Sequence, residues 1–158
     1  MFLRKLTIKN ADGVIRELNF TQGVNLVIDD TPVAELRASG NNVGKTTVLR
    51  LIDFCLGGDQ KLIYTDSEDT GKSYVKVQNF LIEKNVHVLL ELSESLDGAG
   101  SGSVVIERNF LPHNKGKVLL LNHDAYKSEK EFKRALSEKL FPGKDPDQDP
   151  TVRQLICK

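Results

Sequence analysis

The run from residue 39 to residue 47, Ser-Gly-Asn-Asn-Val-Gly-Lys-Thr-Thr, is the sequence feature that most constrains this chain. It follows the pattern of a phosphate-binding loop, in which a glycine and four further residues precede Gly-Lys-Ser or Gly-Lys-Thr. Gly44, Lys45 and Thr46 occupy the last three positions, whereas Ser39 stands at the position of the leading glycine. Since such a loop leads into a helix, the motif predicts a helix that begins near its lysine.

The residue types of the loop predict ATP and Mg²⁺ as cofactors. Consecutive backbone N–H groups can cradle phosphate oxygens, provided that small residues let the backbone approach them. We expect Lys45 to contact the β- and γ-phosphates, Thr46 to bind Mg²⁺ through its hydroxyl, and Thr47 to contact the α-phosphate. The predicted cofactor-binding residues are Ser39, Gly40, Asn41, Asn42, Val43, Gly44, Lys45, Thr46 and Thr47.

The segment after the loop has the pattern of an amphipathic helix. Val48, Leu51, Ile52 and Cys55 follow helical spacing and form one apolar face, so we expect Cys55 to be a buried free thiol. Gly57-Gly58 is a suitable C-terminal stop. The alternative is a chance Gly-Lys-Thr in an ordinary loop, and the helical pattern disfavours it.

Ser39 and the segment before it decide whether the loop forms without ligand. Ser39 has to adopt the conformation of the leading glycine, and a non-glycine residue at positive φ is strained. The predicted strand Val24 to Ile28 ends well before the loop, and residues 29–38 make a polar insertion between the two. A scaffold or interaction module with a degenerate phosphate loop therefore remains an alternative.

Length and composition indicate one globular lobe, residues 1–158. The 22 basic and 22 acidic residues give zero formal net charge, which offers no general attraction for DNA, although a local basic patch would be compatible with it. No apolar run is long enough to span a bilayer, and the N-terminus lacks the apolar core of a signal peptide. We therefore expect a cytoplasmic protein without a membrane partner.

Alternating apolar and polar residues predict a chain rich in strands. The predicted strands are Leu6 to Ile8, Leu18 to Phe20, Val24 to Ile28, Lys61 to Tyr64, Tyr74 to Phe80, Val86 to Leu92, Val104 to Phe110 and Lys117 to Leu121. Residues 97–103 read as a flexible hairpin tip. Ser128 and Glu131 form a capping box that opens a second helix, followed by a linker at 141–150 and the start of a helix at 151–158. The fold class is α/β of the α+β type, with a mixed or antiparallel sheet packed on the loop helix.

Residues 40–58, which follow a Gly-Val-Asn-Leu-Val-Ile strand, resemble the SMC, RecF and RecN class of ABC ATPases. More narrowly, the chain looks like the bacterial YydD-like family of SMC-like P-loop ATPases. The resemblance implies the N-terminal lobe of an ATPase head. It also implies a C-terminal lobe and a coiled coil as further parts of the same protein, and a head-to-head homodimer that forms on ATP binding. In this class a glutamine at the lobe boundary touches Mg²⁺, and Gln154 has the matching place in the chain.

The resemblance also sets expectations for activity. The signature segment and the Walker B carboxylate of this class lie in the C-terminal lobe, so we expect no catalytic residue within residues 1–158 and little or no ATPase activity from this chain alone. The longer protein would act in DNA maintenance or defence. A complete small P-loop kinase is the enzymatic alternative, and it would require a parallel order of strands and helices.

Overall fold

The computed structural model describes residues 1–26, 45–66, 72–95 and 102–143. Its strands are β1 (Phe2–Asn10), β2 (Gly13–Asn19), β3 (His87–Ser93), β4 (Ser103–Asn109), β5 (Leu119–Leu121) and β6 (Asp124–Ala125). Its α-helices are α1 (Lys45–Cys55), α2 (Lys61–Tyr64), α3 (Val75–Glu83) and α4 (Glu129–Leu140), with a short 3₁₀ helix at His113–Lys115. Within these ranges the strands form one sheet in the order β2-β1-β3-β4-β5-β6, and all neighbouring strands pair antiparallel.

One face of this sheet is apolar because side chains alternate between its two faces. Leu6 of β1, Leu90 of β3 and Ile106 of β4 point to the same side and are fully buried. The opposite face carries charged pairs, among them Lys5 with Glu17, whose Nζ and Oε2 lie 2.8 Å apart. The apolar face must be covered, and the helices supply that cover.

Helix α1 covers the centre of the apolar face, where it contacts β3 and β4. Phe54 is fully buried, and its ring stacks on Phe110 with centroids 4.7 Å apart. The helix ends as the Gly-Gly pair predicts: Gly57 has a φ of 97°, and the N–H of Gly58 donates to the carbonyl of Asp53 at 2.8 Å. A side chain at Gly57 would be strained by that φ, and its Cβ would also lie 3.3 Å from Cγ of Lys133.

Helix α4 packs against β5 through Phe132 and Leu136, both fully buried. The Oγ of Ser128 accepts a hydrogen bond from the N–H of Glu131 at 3.2 Å, so the predicted N-cap is confirmed. The predicted helix after the loop and the predicted strands that correspond to β1 to β5 are confirmed as well.

Two predicted strands are wrong, because Lys61 to Tyr64 is helix α2 and Tyr74 to Phe80 falls mostly in helix α3. Short apolar runs fit both the two-residue period of a strand and the 3.6-residue period of a helix. Here Ile63 and Leu81 are buried as parts of packed helices rather than of paired strands.

The predicted strand Val24 to Ile28 is not formed over residues 24–26. The Asn25 side chain instead bonds the backbone of Thr21, accepting from its N–H at 2.8 Å and donating to its carbonyl at 2.8 Å. These bonds hold the chain in a turn rather than in an extended strand.

Several predicted segments lie outside the described residues. They are the insertion at 29–38, the tip at 97–101 within 97–103, the linker from residue 144 onward and the helix start at 151–158. Among the helices that the structure describes, none combines the length and the apolar character that a membrane span requires.

Replacement of Phe54 by alanine tests the packing of α1 on the sheet. We expect the free energy of unfolding to fall by about 3–5 kcal/mol, because a buried aromatic ring leaves a cavity. Phe80 is 46% exposed, so Phe80→Ala is the matched control and should change that free energy by about 0.5 kcal/mol or less. Urea denaturation measures both, and equal losses would contradict this account of the core.

Candidate functional site

The predicted site residues fall at one end of α1 and in the segment before it. Lys45 is the first residue of the helix, and Thr46 and Thr47 follow in its first turn, both exposed. Residues 39–44 and Gln154 lie outside the described residues, as does the side chain of Lys45. The structure thus places Lys45, Thr46 and Thr47 in the first described turn of α1, and the assignment of residues 39–47 and Gln154 to nucleotide and Mg²⁺ stays a prediction.

The charge distribution at this end of α1 favours an anion. The first turn contains no acidic residue, so no carboxylate of that turn can accept from the first N–H groups of the helix, which lack intrahelical partners. Its opening residue is a lysine, whose cation is unfavourable next to the positive end of the helix dipole. A bound anion would satisfy both the N–H groups and the ammonium group.

The two halves of α1 differ in how they are held. Leu51, Phe54 and Cys55 in its C-terminal half are buried, whereas Leu49 in its N-terminal half is 65% exposed. Arg50 ties the middle of the helix to the end of α2 through a 3.2 Å hydrogen bond from Nη1 to the carbonyl of Thr65. Among the described residues, the N-terminal half of α1 therefore has fewer buried side chains than the C-terminal half, and Val48 is its partly buried contact with the core.

The C-terminal end of α1 is held by a buried arginine. Arg108 of β4 is 2% exposed, and its Nη1 donates to the carbonyls of Phe54 and Gly58, the latter at 3.3 Å. Its guanidinium carbon lies 4.1 Å from the centroid of the Phe54 ring and 5.4 Å from that of Phe132. A cation at the C-terminus of a helix is favoured by the helix dipole.

Glu129 in the first turn of α4 is the counter-ion of this arginine. Its Oε1 lies 2.7 Å from Nη2 of Arg108 and 2.6 Å from Nζ of Lys117. Desolvation lowers the pKa of Arg108 from its ordinary value, although the charge of Glu129 opposes the shift. Desolvation raises the pKa of Glu129, but the Lys117 hydrogen bond and the charges of Arg108, Lys117 and Lys133 outweigh it, so this pKa is lowered.

The position of Arg108 in the alternating pattern of β4 indicates in the sequence that its side chain is buried. In β4, Val104 and Ile106 alternate onto the buried face, and Arg108 follows at the same spacing. A charged residue at an inward position indicates a buried ion pair, because an isolated charge would be too costly to bury. Nothing in the local sequence, however, identifies Glu129 or the end of α1 as its partners.

Other polar groups form structural pairs. On the charged face of the sheet, Nδ1 of His87 lies 2.7 Å from Oε1 of Glu107, which also contacts Nζ of Lys9 at 3.3 Å. The described ranges contain no group of three or more histidine, cysteine, aspartate or glutamate residues able to hold a metal ion. Cys55 is a buried free thiol, as predicted, and desolvation raises its pKa to about 12.

A search among solved structures finds a similar fold. One matching chain, from a study of "ATP-driven dimerization and DNA stimulated activation of SMC ATPases", superposes with a TM-score of 0.52. The two sequences are 16% identical over a match that covers 90% of this chain and 82% of the other. This likeness shows that the chain has an SMC-ATPase-like fold. No protein-family model and no curated protein matches the sequence, so the narrower YydD-like resemblance stays a prediction.

The stability contributed by Glu129 should depend on pH. Because its pKa is lower in the folded than in the unfolded chain, this contribution is complete above the unfolded value of about 4.5 and is lost as the pH falls through the folded value. Wild type should therefore exceed Glu129→Gln in melting temperature at neutral pH, and the difference should shrink below about pH 4.5. Thermal melts of both proteins between pH 7 and pH 3 measure it, and a difference independent of pH would contradict the ion pair.

Proposed function

We propose that this chain is the ATP–Mg²⁺-binding part of an SMC-like ATPase head, with residues 39–47 as its phosphate-binding loop. One observation carries the proposal: Lys45, Thr46 and Thr47 of the motif lie in the first described turn of α1, so the motif leads directly into a helix. Thr46 and Thr47 are exposed, this turn contains no acidic residue, and the first N–H groups of a helix lack intrahelical partners, which is the environment that a phosphate-binding loop requires. The SMC-ATPase-like fold adds independent support.

In the proposed site each side chain of the motif has a separate role. Lys45 contributes a positive charge to the terminal phosphates, and the backbone N–H groups of residues 41–44 surround the phosphate oxygens. The exposed hydroxyl of Thr46 fits Mg²⁺, which prefers oxygen ligands, and Gln154 is the second proposed ligand. Bound Mg²⁺ would neutralise part of the phosphate charge.

A second lobe of the same protein is part of the proposal. Val24 and Leu26, which precede the loop, are 84% and 78% exposed, and Leu49 beyond it is 65% exposed. Aliphatic side chains with so much exposure favour a covering surface that the described residues do not supply. We assign this surface to a C-terminal lobe connected by a coiled coil, which would provide the catalytic carboxylate and the signature segment for ATP hydrolysis.

We also propose an assembly and a biological role for the longer protein. ATP-driven dimerisation and DNA-stimulated activation are described for the structurally similar SMC ATPase, and we propose head-to-head dimerisation and a role in DNA maintenance or defence for the longer protein. The antiparallel pairing of all described strands disfavours the small-kinase alternative, whose sheet would be parallel.

Titration with ATP and Mg²⁺ tests the proposal. Wild type should bind, and Lys45→Ala should weaken binding roughly 10- to 100-fold, as expected for the loss of a charge-assisted contact of about 1.5–3 kcal/mol. Lys61→Ala is the matched control, since Lys61 is an exposed lysine at the first residue of α2 and should leave affinity unchanged. Calorimetry measures all three, and equal, negligible binding by wild type and Lys45→Ala would favour the scaffold alternative.

A further inference from the structure

We propose that Arg108 and Glu129 are positioning residues for the nucleotide site, through their hold on the C-terminal end of α1. This inference rests on the proposed function, because it concerns the same helix whose other end carries Lys45. Neither residue is part of the motif, and neither lies in the helix that they orient.

The contacts of Arg108 converge on the last turn of α1 and the residues after it. Its guanidinium group bonds the carbonyls of Phe54 and Gly58 and stacks over the Phe54 ring. Two carbonyl acceptors and one ring face fix a planar, directional donor far more closely than apolar packing alone. The guanidinium group therefore fixes the distance of this end of α1 from the sheet and the rotation of the helix about its own axis.

Because α1 is one continuous helix, contacts that hold its C-terminal end also affect the position of the motif residues at its other end. The helix has 11 residues and is therefore about 16 Å long, so a tilt of about 4° at one end moves the other by about 1 Å. Its buried residues Leu51, Phe54 and Cys55 all lie in the anchored half, whereas in the other half Thr46, Thr47 and Leu49 are exposed and Val48 is only partly buried against the core. A displacement of about 1 Å is enough to weaken contacts that depend on alignment.

Glu129 extends the anchor to a second helix. It is the first residue of α4, where a carboxylate is favoured by the dipole of that helix, and it holds Arg108 at 2.7 Å and Lys117 at 2.6 Å. The C-terminus of α1, the N-terminus of α4 and the segment before β5 thus meet at one ionic cluster, here called the Arg108 cluster. A shift of α4 would change the hold on α1, and nucleotide binding would act back on α4 by the same linkage.

A purely structural role would be served as well by an apolar residue. Burial of a guanidinium group costs desolvation, and apolar side chains of similar volume often replace buried ion pairs without loss of stability. The pocket between Phe54 and Phe132 is itself aromatic and suits such a replacement. The arginine adds directional hydrogen bonds to the end of α1, which an apolar side chain cannot make.

The test compares three variants of the full chain. Arg108→Lys keeps the charge but loses the fork of donors, and Glu129→Gln keeps the size and an acceptor but removes the charge. Asn109→Ala is the matched control: Asn109 is the next residue of β4 and fully buried, and its side chain bonds Asn85, Gly116 and Val118 rather than α1. Each variant is measured for melting temperature, for affinity for ATP–Mg²⁺ and for amide hydrogen exchange along residues 49–51.

We expect Arg108→Lys and Glu129→Gln to weaken ATP–Mg²⁺ binding about tenfold or more and to speed exchange of the amides of residues 49–51. Asn109→Ala should lower the melting temperature but leave affinity within about twofold and that exchange unchanged. Loss of affinity in proportion to the loss of melting temperature in all three variants would overturn the positioning role. If Arg108→Lys does not fold, Glu129→Gln carries the same comparison.

Affinity for ATP–Mg²⁺ and amide hydrogen exchange together separate this inference from the proposed function. If wild type fails to bind ATP–Mg²⁺, the proposed function fails, and exchange alone decides the role of the Arg108 cluster. Faster exchange at residues 49–51 in Arg108→Lys or Glu129→Gln but not in Asn109→Ala would still support the hold of the Arg108 cluster on α1. Unchanged exchange in the variants of the cluster would overturn it, whatever the affinity.

Discussion

The apolar face of the antiparallel sheet is the constraint on which the described structure depends. Strands β1, β3 and β4 bury one row of side chains each on this face, and water must be kept from all of them at once. Helix α1 covers the centre of the face and α4 covers the side near β5. The position of the proposed site follows from this cover, because the same helix that closes the core also contains the motif lysine.

The Arg108 cluster is the polar exception within this core. Its guanidinium group occupies a place between aromatic rings where the sheet face would otherwise take another aliphatic residue. The group satisfies carbonyls at the end of α1 and the carboxylate of Glu129, so one buried side chain serves two helices and one strand. Such an arrangement joins the stability of the core to the orientation of α1, and thereby connects folding with the proposed binding site.

The sequence predicts the elements whose pattern is long and regular. Strands β3 and β4 alternate over seven residues each, and α1 repeats its apolar face over three turns, so a single period explains each of them. The short runs at 61–64 and 74–80 are too brief for the period to be decided, and packing made them helical. The pattern of residues 24–26 predicts a strand, but the Asn25 side chain forms hydrogen bonds with the backbone N–H and carbonyl of Thr21.

By itself, the sequence determined where the candidate site is predicted, because the pattern of a phosphate-binding loop consists of adjacent residues. It also determined which face of each long strand is buried, since that follows from alternation alone. Only the tertiary structure decided what Arg108 binds and how α1 is held. Those contacts join residues 54, 108 and 129, which are far apart in the chain, and no local pattern specifies which distant carbonyl or carboxylate a buried charge will find.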